Sequence, residues 1–92
     1  MPAKIAVEKL DETHFRVRVT EPGSESTHQV TVDPKYCARF IGQAAQPEEL
    51  IRKSFEFLLD REPKESILSR FDLSAISRYF PEYEGEIKKR LL

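Results

Sequence analysis

The sequence is short of the residues from which most small catalytic or metal sites are built. It has one cysteine, Cys37. No intramolecular disulfide can therefore staple the fold, and a reducing compartment suits the chain. Its three glycines, Gly23, Gly42 and Gly85, stand alone, so there is no glycine-rich loop to cradle a phosphate. Tryptophan is absent, and histidine is limited to His14 and His28. Charge of one sign is missing as well. Fifteen basic and sixteen acidic residues leave a net charge of −1, so no overall field draws in nucleic acid or anionic lipid. There is no long apolar run: Met1-Pro2-Ala3-Lys4 leads straight into alternation, and neither a signal peptide nor a membrane-spanning helix is expected.

What is present describes one small domain, 1–92. The chain has 92 residues and a mass of 10.7 kDa, with 39% apolar and 34% charged residues. At this mass, folding leaves about 5,500 Å² exposed of roughly 15,500 Å² in the extended chain, so about 65% is buried. That supports one modest core and no large enclosed cofactor cavity.

The apolar period changes near residue 34. Before it, Ile5 and Val7, then Phe15, Val17 and Val19, then Val30 and Val32 alternate with polar residues, as half-buried strands do. Asp11-Glu12-Thr13 and Glu21-Pro22-Gly23-Ser24-Glu25 are turn sequences. The pattern predicts an antiparallel meander with strands near 3–10, 14–20 and 26–33. Setting Val7 opposite Val17 brings Ile5 to Val19 and Glu8 to Arg16. Setting Val17 opposite Val30 brings Phe15 to Val32 and Thr20 to Thr27, with a four-residue loop from Pro22 to Glu25. A one-residue slip would bury Arg16 or Thr31.

The helical part, 34–92, is divided by Pro47, Pro63 and Pro81. A short helix over 34–41 stops at Gly42. The best-defined helix, 47–61, opens on Pro47 with Glu48 and Glu49 at the positive end of its dipole. Its inward stripe is Leu50, Ile51, Phe55, Leu58 and Leu59, with Phe57 off the stripe. Ile67, Leu68 and Phe71 read as the apolar side of a further helical piece. Asp72 reads as the cap of a helix over 73–80, and Tyr83, Ile87 and Leu91 as the stripe of a last one. The class is α+β: a three-stranded meander covered on one face by the helix at 47–61, followed by short C-terminal helices.

The reactive side chains do not converge on this plan. Cys37 has no base beside it, because His14 falls on the outer sheet face and His28 at the inner rim; it reads as a small buried hydrophobe. The same scatter of one cysteine and two histidines rules out a zinc site. Glu56 and Asp60 share a helix face, a spacing that suits paired-carboxylate chemistry. Arg52, Lys53, Arg61 and Lys64 alternate with them, which describes a solvated, ion-paired surface instead. The expectation is a non-enzymatic chain with no catalytic residue, cofactor, metal or small-molecule ligand.

Binding is the remaining class. The sheet's outer face carries Arg16 and Arg18 without the aromatics a single-strand platform uses for stacking. The C-terminal helices offer Arg70, Arg78, Lys88, Lys89 and Arg90, and residues 63–92 have a net charge of only +1 by sequence count, six basic against five acidic. A small nucleic-acid-binding regulator of the antitoxin or repressor kind is therefore the alternative reading. Aromatics are in surplus over the sheet's apolar partners, and Phe57, Phe71, Tyr79, Phe80 and Tyr83 form the candidate interaction surface. Strands 1 and 3 are open edges. Together these favour a protein partner, a homodimer first.

The stretch 55–68, FEFLLDREPKESIL, continues through Phe71-Asp72-Leu73 to Ile76-Ser77-Arg78-Tyr79-Phe80-Pro81 and on to Tyr83. This block resembles one carried near the C-terminus by a group of short, uncharacterised bacterial proteins. The resemblance covers about a third of the chain. It implies a prokaryotic, cytoplasmic setting and brings no activity or site residue with it.

Overall fold

The alternation of the first third folds as expected. A computed structural model describes residues 3–36 and 47–91, and its strands β1 (Lys4–Lys9), β2 (His14–Glu21) and β3 (Ser24–Thr31) form an antiparallel meander. Ile5 faces Val19, Val7 faces Val17 and Glu8 faces Arg16. The first turn is held by Asp11, whose Oδ1 accepts from the amides of Thr13 (2.9 Å) and His14 (2.8 Å). The Thr13 amide first, and then the His14 side chain, pull the Asp11 carboxyl down to about 2.

The second hairpin differs from the expectation by two residues. Val17 faces His28, Phe15 faces Val30 and Thr20 faces Glu25, leaving only Pro22-Gly23 as the loop. Pro22 presets the first central residue and Gly23, at φ +81°, supplies the left-handed second one, as a type II turn requires. A two-residue slip keeps every side chain on its face, so hydrophobic alternation cannot detect it. Turn chemistry decides it, and the tighter loop adds the Thr20 Oγ1 to Glu25 Oε2 bond at 3.2 Å.

After the meander, residues 34–36 form a helical turn, and the rest of the expected 34–41 helix lies outside the described residues. Helix α1 (Pro47–Leu59) then crosses back, and the chain adds β4 (Arg70–Asp72), which lies parallel to β3. The sheet order is β1-β2-β3-β4. This corrects two expectations. Phe71 sits in a strand rather than a helix, opposite Val30. The sheet edges are β1 and β4, because β3 is flanked over Gln29 to Thr31. The β1 edge is itself partly occupied, with Arg52 donating to the Ile5 carbonyl at 2.9 Å.

The last third is more broken than the expected run of helices. Lys64–Ser66 and Leu73–Ala75 are single 3-10 turns, followed by the short α2 (Ile76–Tyr79) and by α3 (Tyr83–Leu91). Asp72 does cap, its Oδ1 accepting from the Ser74 amide at 3.0 Å. Lys64 is buried, with Nζ bonded to Glu65 and 3.0 Å from Glu21 Oε1, which ties the first 3-10 turn to the end of β2. Glu65 and then Glu21 hold the ammonium above the ordinary lysine range.

Helix α1 packs between two covers, and this explains its composition. Positions 55 and 57 lie about 200° apart around a helix, so no single stripe can bury both. Phe55 faces the sheet side, against His28 (ring centroids 5.4 Å apart) and Phe71 (6.0 Å). Phe57 faces the C-terminal part, edge-on to Tyr83 (5.4 Å) and Phe80 (5.7 Å). Both phenylalanines are fully buried. Tyr83 reaches Ser54 Oγ at 2.6 Å, and Ser54 donates to the Leu50 carbonyl at 2.7 Å. Since the serine has one proton, the tyrosine hydroxyl donates to Ser54.

Candidate functional site

The β4 crossover leaves a gap beside the core. The turn after Lys64–Ser66 brings Ile67 inward and Leu68 outward, and Asp72 reverses the chain into α2. Between these pieces and the end of α1 lies a groove of about 360 Å³. Leu58, Ile67 and Ile76, all buried, form its base, and the half-buried Phe71 and Phe80 line it higher up. Leu68 and Tyr79 stand at its mouth, 53% and 69% exposed. Among the described residues Glu62 is its one charged lining group. The groove is thus an apolar slot with a polar margin, suited to an apolar side chain.

Three of the five aromatics singled out in the sequence, Phe71, Tyr79 and Phe80, meet at this groove. The other two do not belong to a surface. Phe57 and Tyr83 are at 0% exposure, because α1 and α3 enclose them. Ile67 and Leu68 do not share the apolar side of a helix as expected: the chain is not helical there, and Ile67 is buried while Leu68 is 53% exposed.

The basic residues are distributed over separate elements. Arg16, Arg18 and Arg70 share the sheet's outer face, Arg78 lies on α2, and Lys88, Lys89 and Arg90 on α3. Several already have acidic partners. Arg16 holds Glu8 at 3.0 Å, Arg18 holds Glu25 at 3.7 Å, and Arg90 holds Asp60 at 2.6 Å and Glu56 at 3.8 Å. The Glu56–Asp60 pair is therefore bridged by one guanidinium from α3. Arg61 lies 3.7 Å over the Phe57 ring and 3.2 Å from Glu82. The Glu82 carboxyl is held below its usual range by its own backbone amide and then by that arginine.

The histidines lie on opposite faces. His14 bonds Asp11 at 2.9 Å on the outer face. His28 is buried, with Nδ1 at 2.8 Å from the Leu68 carbonyl and Nε2 at 2.8 Å from Ser26 Oγ. A carbonyl only accepts, so Nδ1 carries a proton and donates it to Leu68. Cys37 lies outside the described residues. Among the described residues no three His, Cys, Asp or Glu side chains cluster as metal ligands, and no helix is long and apolar enough to cross a membrane.

No protein-family model matches the chain, and neither a curated protein nor a solved structure is significantly similar to it.

Proposed function

We propose that this chain is a non-enzymatic protein-binding module whose partner at the groove is a second copy of itself. The observation that carries the reading is the adjacency of hole and projection. Tyr79 and Leu68 stand exposed at the mouth of the slot they border. A two-fold contact needs a self-complementary patch, and here one copy's Tyr79 can enter its partner's groove while the reverse contact forms alongside. An aromatic anchor in an apolar pocket is the usual centre of such an interface. A net charge of −1 sets up no strong repulsion between copies. A cytoplasmic setting suits the lone cysteine.

Sedimentation equilibrium over a wide concentration range tests this. The expected result is a reversible dimer for the natural chain and a folded monomer for Tyr79→Ser. A natural chain that stays monomeric up to millimolar concentration overturns the proposal, as does a Tyr79→Ser variant that dimerises equally well.

A further inference from the structure

The other face of β4 presents a different chemistry. On the outer side of the sheet, register sets Arg16 opposite Gln29 and Gln29 opposite Arg70. With neighbouring strands about 4.8 Å apart, the two arginine Cα atoms flank Gln29 at roughly 10 Å from each other. They border an open hollow of about 430 Å³, lined also by Thr27, His28 and Ser69. The His28 ring belongs to the inner face, where it packs at a tilt against Phe55.

The lining side chains nearly all carry hydrogen-bond donors. Among the described residues, Thr27, Gln29, Ser69 and Arg70 make no side-chain hydrogen bond or ion pair. Arg16 spends one terminal nitrogen on Glu8, leaving the rest of its five-donor fork. No carboxylate lines the hollow. Of the acids on the neighbouring strands, Glu8 pairs with Arg16 itself, while Glu25 is held by Arg18 and Asp72 by Ser74.

We infer that this hollow is an oxyanion site that takes the phosphoryl group of a small phosphate ester or of free phosphate. Two guanidiniums, an amide and two hydroxyls offer more donors than the two oxygens of a carboxylate can satisfy. A phosphoryl group presents three oxygens and up to two charges, and planar arginine forks fit it in bidentate fashion. The lack of aromatics around the hollow disfavours an unstacked nucleic acid strand as the source of that phosphate. The site is separate from the groove and does not depend on self-association.

Titration of the full chain with inorganic phosphate, at constant ionic strength and read by amide ¹H–¹⁵N shifts, tests it. The expected result is saturable shifts confined to residues 27–29 and 69–70. Arg70→Gln, a change at an exposed residue, should weaken binding at least about tenfold, while Tyr79→Ser leaves it unchanged. Acetate should bind at least about tenfold more weakly than phosphate. Linear or scattered shifts, equal binding by Arg70→Gln, or acetate binding as well as phosphate overturns the proposal. So does saturable binding of a short mixed-sequence oligonucleotide in the absence of any phosphate response, which would mark a phosphodiester surface instead.

Discussion

Phe57 and Tyr79 separate core from surface among aromatics that the sequence alone groups together. Phe57 is fully buried and meets two rings edge-on, Tyr83 at 5.4 Å and Phe80 at 5.7 Å, while Tyr79 is 69% exposed. Truncating a buried phenylalanine to alanine costs about 3–5 kcal/mol, combining lost transfer energy and the cavity left behind. The lost edge-to-face pairs, each worth about 0.5–1.5 kcal/mol, push Phe57→Ala toward the upper end. A chain of 92 residues has a total stability of about 5–14 kcal/mol, so this variant gives up a third of it or more. At protein concentrations low enough to keep the chain monomeric, Tyr79→Ala touches no such packing and should stay within about 0.5 kcal/mol of the natural chain. Urea denaturation followed by circular dichroism measures both, with m unchanged if only the native state is affected. A cost below about 1 kcal/mol for Phe57→Ala, or a larger loss for Tyr79→Ala than for Phe57→Ala, would refute the placement of α1 between two covers.

Three further outcomes follow from single contacts. Gly23 has open space around a built Cβ but a φ of +81°, so Gly23→Ala should lose about 1–2 kcal/mol through backbone conformation alone and Gly23→Asn less, by the same denaturation assay. The Asp11 carboxyl titrates at about 2 in the folded chain and at 3.8 ordinarily, so its contribution is complete above the ordinary value and is lost as pH falls toward the folded one. Asp11→Ala should therefore flatten the acid side of the stability curve between about pH 4 and pH 2, and an unchanged slope there contradicts its role in holding the turn. Tyr83→Phe removes the donor to Ser54 while keeping the ring packed, and should cost about 0.5–1.5 kcal/mol by thermal or urea unfolding.

What the sequence makes legible is what local period and local turn chemistry determine. The β1–β2 register follows from matching valines, and the burial of Leu50, Ile51, Phe55 and Leu58 from their helical spacing. The misses share a different cause. The two-residue shift of β3 preserves the sheet's faces, so only the Pro22-Gly23 turn distinguishes the registers. Strand β4 is three residues long and pairs with a segment some forty positions earlier, a non-local choice that no window around Phe71 contains. Phe57 was ambiguous because one helix stripe cannot reveal that α3 returns to cover the opposite side. The groove inherits these misses: its aromatics were visible as a surplus, but its walls depend on where β4 docks.

Residues 67–72 show how one short docked segment can serve two surfaces. Buried Ile67 anchors it, the Leu68 carbonyl accepts from His28 Nδ1 at 2.8 Å, and the Ser69 carbonyl accepts from the Gln29 amide at 2.8 Å. Those two bonds fix the segment along β3, with Leu68 and Phe71 lining the apolar groove and Ser69 and Arg70 the donor-lined hollow. The groove's mouth and the hollow's wall therefore share a fastening, and His28 is the side chain that makes it. His28→Leu keeps an apolar body against Phe55 but removes the donor to Leu68, leaving a carbonyl without its partner at a cost of about 1–3 kcal/mol. If that bond fastens both surfaces, hydrogen exchange at the Gln29 amide should quicken about tenfold or more, one power of ten per 1.4 kcal/mol, while amides of the β1–β2 ladder keep their ranking. Unchanged exchange at Gln29 in His28→Leu would mean that the β3–β4 pairing holds the segment without the histidine, and the two surfaces would then be independent.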